Sequence, residues 1–334
     1  MVTRACRTGG VWVSRGRGRS TTLPGVARGP VAGTESLPGR LVRAASGVWV
    51  HVVDTGSVGT PVVLEAGAGG CFADWDEVAR RLAPRRVVRF DRPGLGYSPY
   101  ARVDRTATAS AHLLAAVLDA ADITGPYVLG AHSLAGLSAR AFAYLYPTRV
   151  AGMVLADPTD EDLDDTALPR GFETMQQLAY GVGGGLARLR LGPAVGRAGA
   201  AAFTRTLVHP DQPHVHTALA TSSRLACTPG GFRAQADAAR AVAESRVQLR
   251  GLVAAGGFPS ISLRVITADG PPVNRMQRRL QQQARDELHP RRAAASPRGR
   301  HLVVADSSHL VMLDRPDLLV REISDIVDEL TPPP

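Results

Sequence analysis

Lysine is missing altogether from the 334-residue sequence, in which all 39 basic residues are arginine. Beside abundant alanine, glycine and proline, that bias reads as the coding habit of a GC-rich genome and carries no functional weight. Cysteine is scarce: Cys6, Cys71 and Cys227 are odd in number and show neither C-x-x-C spacing nor a regular framework, so nothing argues for an oxidising compartment. Aromatic residues make up 5% of the chain, and no interleaved aromatics accompany the basic N-terminal stretch to stack on bases. No apolar run approaches the roughly eighteen residues needed to span a bilayer. GVWV, following TGG near the start, is too short for the hydrophobic region of a signal peptide. These absences lead us to expect a cytoplasmic protein without stable membrane insertion and without a nucleic-acid partner.

The net charge of +9 has a local origin. Residues 1–40 hold seven arginines against Glu35 alone, and the rest of the chain is close to balanced. That segment reads as a basic, flexible arm, although its acid-poor, Ser/Thr-containing composition also imitates an organellar transit peptide. The remainder, in a chain that is 44% hydrophobic, is long enough for one large core with an insertion.

From Leu41 the hydrophobic pattern becomes periodic. LVRAASGVWVHVVDTG alternates as a hairpin does, and PVVLEAG and RRVVRFD read as short, fully apolar strands. Between those two strands, Trp75, Val78, Ala79 and Leu82 fall at helical spacing. The rhythm continues with SAHLLAAVLDAADI (helix), PYVLGA (strand), LAGLSARAFAYLYP (helix) and RVAGMVLAD (strand). Alternation of this kind predicts a parallel sheet with helices on both faces. It breaks at Pro158, and an Ala-rich, partly helical stretch runs to about Pro259. ISLRVITAD then resumes the sheet, HLVVAD closes it, and PDLLVREISDIVDEL supplies a final amphipathic helix.

Acyl-transfer chemistry on a serine needs a base, an acid that orients the base, and donors for the oxyanion. Ser133 in LGAHSLAGLS follows one predicted strand directly and precedes a helix, the context that gives a G-x-S-x-G elbow its meaning. Ala131 and Ala135 replace the two glycines, while Gly130 and Gly136 stand one residue outside. Alone, AHSLA is as consistent with a helix N-cap as with a nucleophile. The glycine loop in PVVLEAGAGG follows an earlier strand, where the Ala68 amide could pair with that of Leu134 to hold an oxyanion. It is otherwise an ordinary turn, and it lacks the G-K-[ST] ending of a phosphate loop. His309 follows the last strand, where a base would face Ser133. The histidines of HPDQPHVH (His209, His214, His216) show no metal-ligand spacing and a proline-broken backbone, so no metal is expected.

AHSLAGLSAR, EAGAGG, FDRPGLGYSP and SSHLVMLDRP, in this order and spacing, resemble the α/β-hydrolase superfamily, in particular its lid-bearing members, over residues 41 to 330. The resemblance implies an eight-stranded, mostly parallel sheet formed by residues 41–157 and 260–330, with a helical cap inserted at 158–259. It also implies a triad in the order Ser, acid, His, with Ser133 and His309 in the outer places. The acid stays open. Most relatives place it after the seventh strand, where Asp269 stands earlier than the usual spacing, and some place it at the end of the sixth, where Asp157 matches. Asp157 is the first choice, Asp269 the alternative and Asp160 a distant third. Serine where dehalogenases carry aspartate favours a small-molecule ester, thioester, amide or related acyl substrate, handled without metal or organic cofactor. A non-catalytic ligand-binding protein, or a cofactor-free lyase or haloperoxidase-type enzyme on the same scaffold, are the other readings. In FDRPGLGYSP, Asp91 and Arg92 are expected to fix a turn, and Trp75 and Phe72 to be core residues or to line the acyl pocket.

Overall fold

The computed structural model describes residues 37–164 and 170–330. Residues 1–36, and with them nearly all of the basic arm, the GVWV stretch and Cys6, lie outside the described residues, as do 165–169 and 331–334.

The strands are β1 (Arg40–Arg43), β2 (Trp49–Thr55), β3 (Val58–Glu65), β4 (Arg85–Asp91), β5 (Tyr127–His132), β6 (Val150–Ala156), β7 (Ser262–Ala268) and β8 (Arg298–Val304). They form one eight-stranded sheet in the order β1-β2-β4-β3-β5-β6-β7-β8. β2 pairs antiparallel with β1 and with β4, and every other pairing is parallel. The first strand begins one residue before Leu41, and the Arg40 guanidinium donates to the Ala121 carbonyl at 2.8 Å.

Successive side chains of a strand leave on opposite faces. In β3, Val63 enters one core while Val62 and Leu64 enter the other; in β6, Met153 and Leu155 oppose Val154 and Ala156. A strand buried on both faces therefore reads as an unbroken apolar run. Helices α1 (Asp76–Leu82), α2 (Ala107–Ala120) and α3 (Ala135–Leu145) follow β3, β4 and β5. α2 and α3 cover one face, and α1 covers the other.

Between β6 and β7 the chain inserts α4 (Phe172–Arg188), α5 (Gly192–Thr204), α6 (Pro213–Ala226) and α7 (Pro229–Ala255). α7 starts cleanly because the Thr228 hydroxyl accepts the Gly231 amide at 2.9 Å and Pro229 needs no amide partner. Its far end returns to the sheet: Leu249 is fully buried among α2 and α3, and the Ala107 amide donates to the Ser245 hydroxyl at 3.0 Å. After β7 come α8 (Arg275–Gln283) and α9 (His289–Ala293), then β8, α10 (Val311–Asp314) and α11 (Pro316–Leu330). α11 buries Leu319, Ile323, Ile326 and Val327 at helical spacing against the α1 face.

Candidate active site

The parallel register sets the ends of three strands side by side, His132 opposite Ala156 and Ala156 opposite Ile266. Beyond β5 the chain turns sharply at Ser133, whose φ is 53°. The left-handed region costs a non-glycine residue on the order of 1–3 kcal/mol, so surrounding contacts must hold it. The Ser133 amide donates to the Ala156 carbonyl at 3.2 Å, and the Ser133 carbonyl accepts the Gly136 and Thr159 amides at 2.8 and 2.9 Å. Ala131 and Ala135 are fully buried. The tightest approach on the helix side lies one residue further on, where a methyl group at Gly136 would sit 2.6 Å from the Pro158 side chain. The elbow thus keeps its glycine where helix α3 meets the chain leaving β6.

His309 lies in the loop between β8 and α10. Its Nε2 is 2.9 Å from Ser133 Oγ, and its Nδ1 is 2.6 Å from Asp157 Oδ2. With the ring proton on Nδ1 donated to Asp157, the Nε2 lone pair is free to accept the serine hydroxyl. About half of the His309 side chain faces solvent, whereas Asp157 is largely enclosed. Asp157 also takes a positive φ, 44°, and is pinned by its amide donating to the Ile266 carbonyl at 2.8 Å. Burial works to raise the Asp157 carboxyl, but the His309 hydrogen bond, the neighbouring imidazoles and the Ala268 amide at 3.1 Å outweigh it and hold the group below its ordinary range.

The other two carboxylates are engaged elsewhere. Asp269 accepts both of its hydrogen bonds from the Arg285 guanidinium, at 2.8 and 3.1 Å. Asp160 is paired with Arg292 at 2.6 and 3.0 Å. The structure therefore brings Ser133, His309 and Asp157 together and leaves Asp269 and Asp160 out.

Ala68 sits exposed in the loop after β3, and Leu134 begins the turn into α3. Among the described residues neither amide has a backbone or side-chain acceptor, so both donors are available. Arg92 braces the loop by donating to the Gly67 carbonyl. The Asp91 carboxylate takes the Phe72 amide at 2.8 Å, the Tyr97 amide at 3.0 Å and the His51 Nδ1 at 2.7 Å, which fixes the turn after β4. Phe72 and Trp75 are core residues.

Three features were not apparent in the sequence. His132, the residue before the elbow serine, is buried; its Nε2–H donates to the His309 carbonyl at 2.8 Å, and the two rings lie 4.6 Å apart. Burial, reinforced by His309, pushes its pKa down to about 3, so it is a neutral imidazole near pH 7. Glu65, at the end of β3, accepts the Ser138 hydroxyl at 3.0 Å beside a narrow cleft of about 40 Å³ behind Leu134. Burial pushes its carboxyl up to about 7 against the opposing pull of Arg92 and Ser138. The third is a latch. Asp160, Glu161 and Asp162 approach within 4.8 Å of one another, as metal ligands would. Guanidinium groups meet their charge instead: Arg140 binds Glu161 at 2.5 and 2.8 Å, Arg292 binds Asp160, and Arg250 donates to the Glu161 carbonyl at 2.7 Å. Of the histidines once weighed for a metal, His214 donates to the Leu313 carbonyl at 2.8 Å.

A family model described as the alpha/beta hydrolase fold matches residues 60–316. A putative carbamate hydrolase from Azorhizobium caulinodans is 32% identical over 126 residues, 37% of this chain and 46% of that protein. A 2-hydroxy-6-oxononadienedioate/2-hydroxy-6-oxononatrienedioate hydrolase from Burkholderia vietnamiensis is 36% identical over 112 residues, 32% of this chain and 38% of that protein. The chain thus spans less than half the length of these curated relatives. Among solved structures, a thermophilic esterase from Thermogutta terrifontis superposes with a TM-score of 0.63 at 22% identity, covering 87% of this chain and 98% of that one.

Proposed function

The chain belongs to the alpha/beta hydrolase fold family, and from that premise we propose that it is a serine hydrolase acting on a small-molecule carboxylic ester or related acyl substrate. Ser133 Oγ attacks the acyl carbon while His309 Nε2 takes its proton, and Asp157 stabilises the resulting imidazolium through Nδ1–H. The Ala68 and Leu134 amides receive the developing oxyanion, where donors already fixed in place are most effective. Collapse expels the alcohol, which takes its proton from His309. Water, activated by the same imidazole, then releases the acid and restores the Ser133 hydroxyl. No metal or organic cofactor enters the cycle.

The observation that carries this reading is the continuous relay from Ser133 Oγ to His309 to Asp157, at 2.9 and 2.6 Å. We assign the helices between β6 and β7 the role of a cap: Gln235 of α7 packs against Gly69 in the oxyanion loop, and the Tyr100 hydroxyl donates to Asp237 of α7 at 2.9 Å. The test is covalent labelling by a fluorophosphonate. The folded protein is expected to be labelled and its Ser133→Ala variant is not; a folded protein that resists the probe while binding ligand without turnover would replace this reading with a non-catalytic one.

A further inference from the structure

Helix α4 is built inside out. A helix on the surface of a globular domain normally turns its bulky apolar residues inward. Here the inward face carries Gly183, against which the Phe232 ring packs so closely that a methyl group would lie 2.5 Å from it, and Gln177, which donates to the Ala236 carbonyl at 3.1 Å. Phe172, Tyr180 and Leu186 are half-buried, but other bulky residues face out. Met175, Leu178 and Val182 recur at helical spacing and are 69%, 67% and 55% exposed, and Leu189 and Leu191 continue the exposed apolar surface past the helix end. Phe203, at the far end of α5, is exposed as well. Single exposed apolar residues need no explanation, but a row of them along one helix marks a surface with an occupant.

The charge on this surface indicates which occupant. From Arg170 to Arg205 the only carboxylate is Glu173, while Arg170, Arg188, Arg190, Arg197 and Arg205 are cationic. Arg188, Arg190, Arg197 and Arg205 are exposed among the apolar residues. A second copy of the chain would set these arginines against each other, and residues 1–40 carry seven arginines and a single carboxylate, so their charge is not complementary to this surface. An apolar row edged by guanidinium groups matches instead the chemistry of a membrane interface, where acyl chains receive the apolar face and lipid phosphates receive the arginines.

We propose that the outer face of α4 and the start of α5 docks this protein peripherally on an anionic lipid surface, with Met175, Leu178, Val182 and Leu189 entering the interface and Arg188, Arg190 and Arg197 contacting phosphates. This is adsorption and not insertion, since among the described residues no helix is long and apolar enough to cross a membrane. The inference does not depend on the hydrolase reading.

The test is co-sedimentation of the full-length protein with vesicles of phosphatidylcholine alone and of phosphatidylcholine containing phosphatidylglycerol. Binding is expected only to the anionic vesicles and is expected to weaken as salt is added. Leu178→Glu or Leu189→Glu should reduce it at least about ten-fold, and Arg188→Ala and Arg190→Ala about five-fold each. The four positions are exposed, so unchanged melting curves should accompany these losses; Val182→Gln is a milder second apolar variant should either glutamate disturb folding. Failure to bind anionic vesicles at low salt would overturn the proposal. So would binding that all these variants leave intact, which would place the contact elsewhere, and so would concentration-dependent self-association that the variants abolish in protein indifferent to lipid.

Discussion

The imidazole of His132 donates to the backbone carbonyl of His309, so the residue before Ser133 holds the loop that carries the proposed base. It forms no part of the relay itself. Removing it should act on positioning: His132→Ala is expected to lower kcat by roughly ten- to a hundred-fold, the scale of an ångström's misplacement, with KM little changed. His132→Gln, which can restore a donor, should recover part of that loss. Because burial pushes its pKa down to about 3, His132 should add no step near neutral pH to the profile of kcat/KM. Kinetics of the two variants on a chromogenic ester across pH would check both points.

Asp157→Asn and Asp269→Asn should separate cleanly. The first replaces the carboxylate facing His309 Nδ1 by a neutral amide that can present a donor there and favour the wrong tautomer, and is expected to lower kcat on the order of 10⁴-fold. The second disturbs only the pair with Arg285 and should change kcat within a few-fold. Equal losses in the two variants would remove Asp157 from the proposed triad.

Glu65 should leave a signature in the pH dependence of stability. Its folded pKa of about 7 lies above the ordinary 4.5, so between those values the folded chain binds more protons than the unfolded one. Its contribution is fully present below about 4.5 and is lost as pH rises towards 7. Glu65→Gln mimics the neutral form. Denaturant melts should show the variant gaining on the parent across that window, by up to about 3 kcal/mol, with no further gain above it.

The elbow's small residues are not equivalent. Gly136→Val pushes a side chain into Pro158, next to the acid, and should cost about 1–3 kcal/mol in chemical denaturation together with much of the activity. Ala131→Gly, which restores the more usual elbow residue, should retain activity.

Breaking the latch from one side should be severe. Arg140→Ala leaves the buried Glu161 to Arg292 alone, at 3.0 Å, and is expected to cost up to about 3 kcal/mol, whereas Arg140→Met combined with Glu161→Leu should recover most of that. Melts of the single and double variants would decide.

Much of the fold was written in the sequence because strands buried on both faces leave apolar runs, as in β3, β5 and β6, although the buried Arg89 and Arg264 interrupt those of β4 and β7. The proposed serine was legible for a related reason, since it follows β5 directly, and the proposed base because it lies in the loop after the last strand. The sequence leaves the acid open because an aspartate follows β6 and β7 alike, and the structure engages Asp269 with Arg285, sixteen residues on, and sets Asp157 against His309. His132 escaped notice because alternation along β5 tells which face a side chain leaves by but not that a carbonyl from residue 309 waits there. α4 shows what a pattern leaves open. Its periodicity is genuine, but period alone does not say whether the apolar side or the glycine side meets the protein.

The latch also has a meaning for how this scaffold can be rebuilt. Residues 160–162 are fastened to α3 through Arg140 and to α9 through Arg292, upstream of the first inserted helix. Asp157 is held by the Ile266 carbonyl, the Ala268 amide and His309, none of which belongs to α4 or α5. A chimera that exchanges α4 and α5 for helices of another shape should keep the spacing of Ser133, His309 and Asp157, so that the outer part of the insertion can be altered separately from the proposed chemistry.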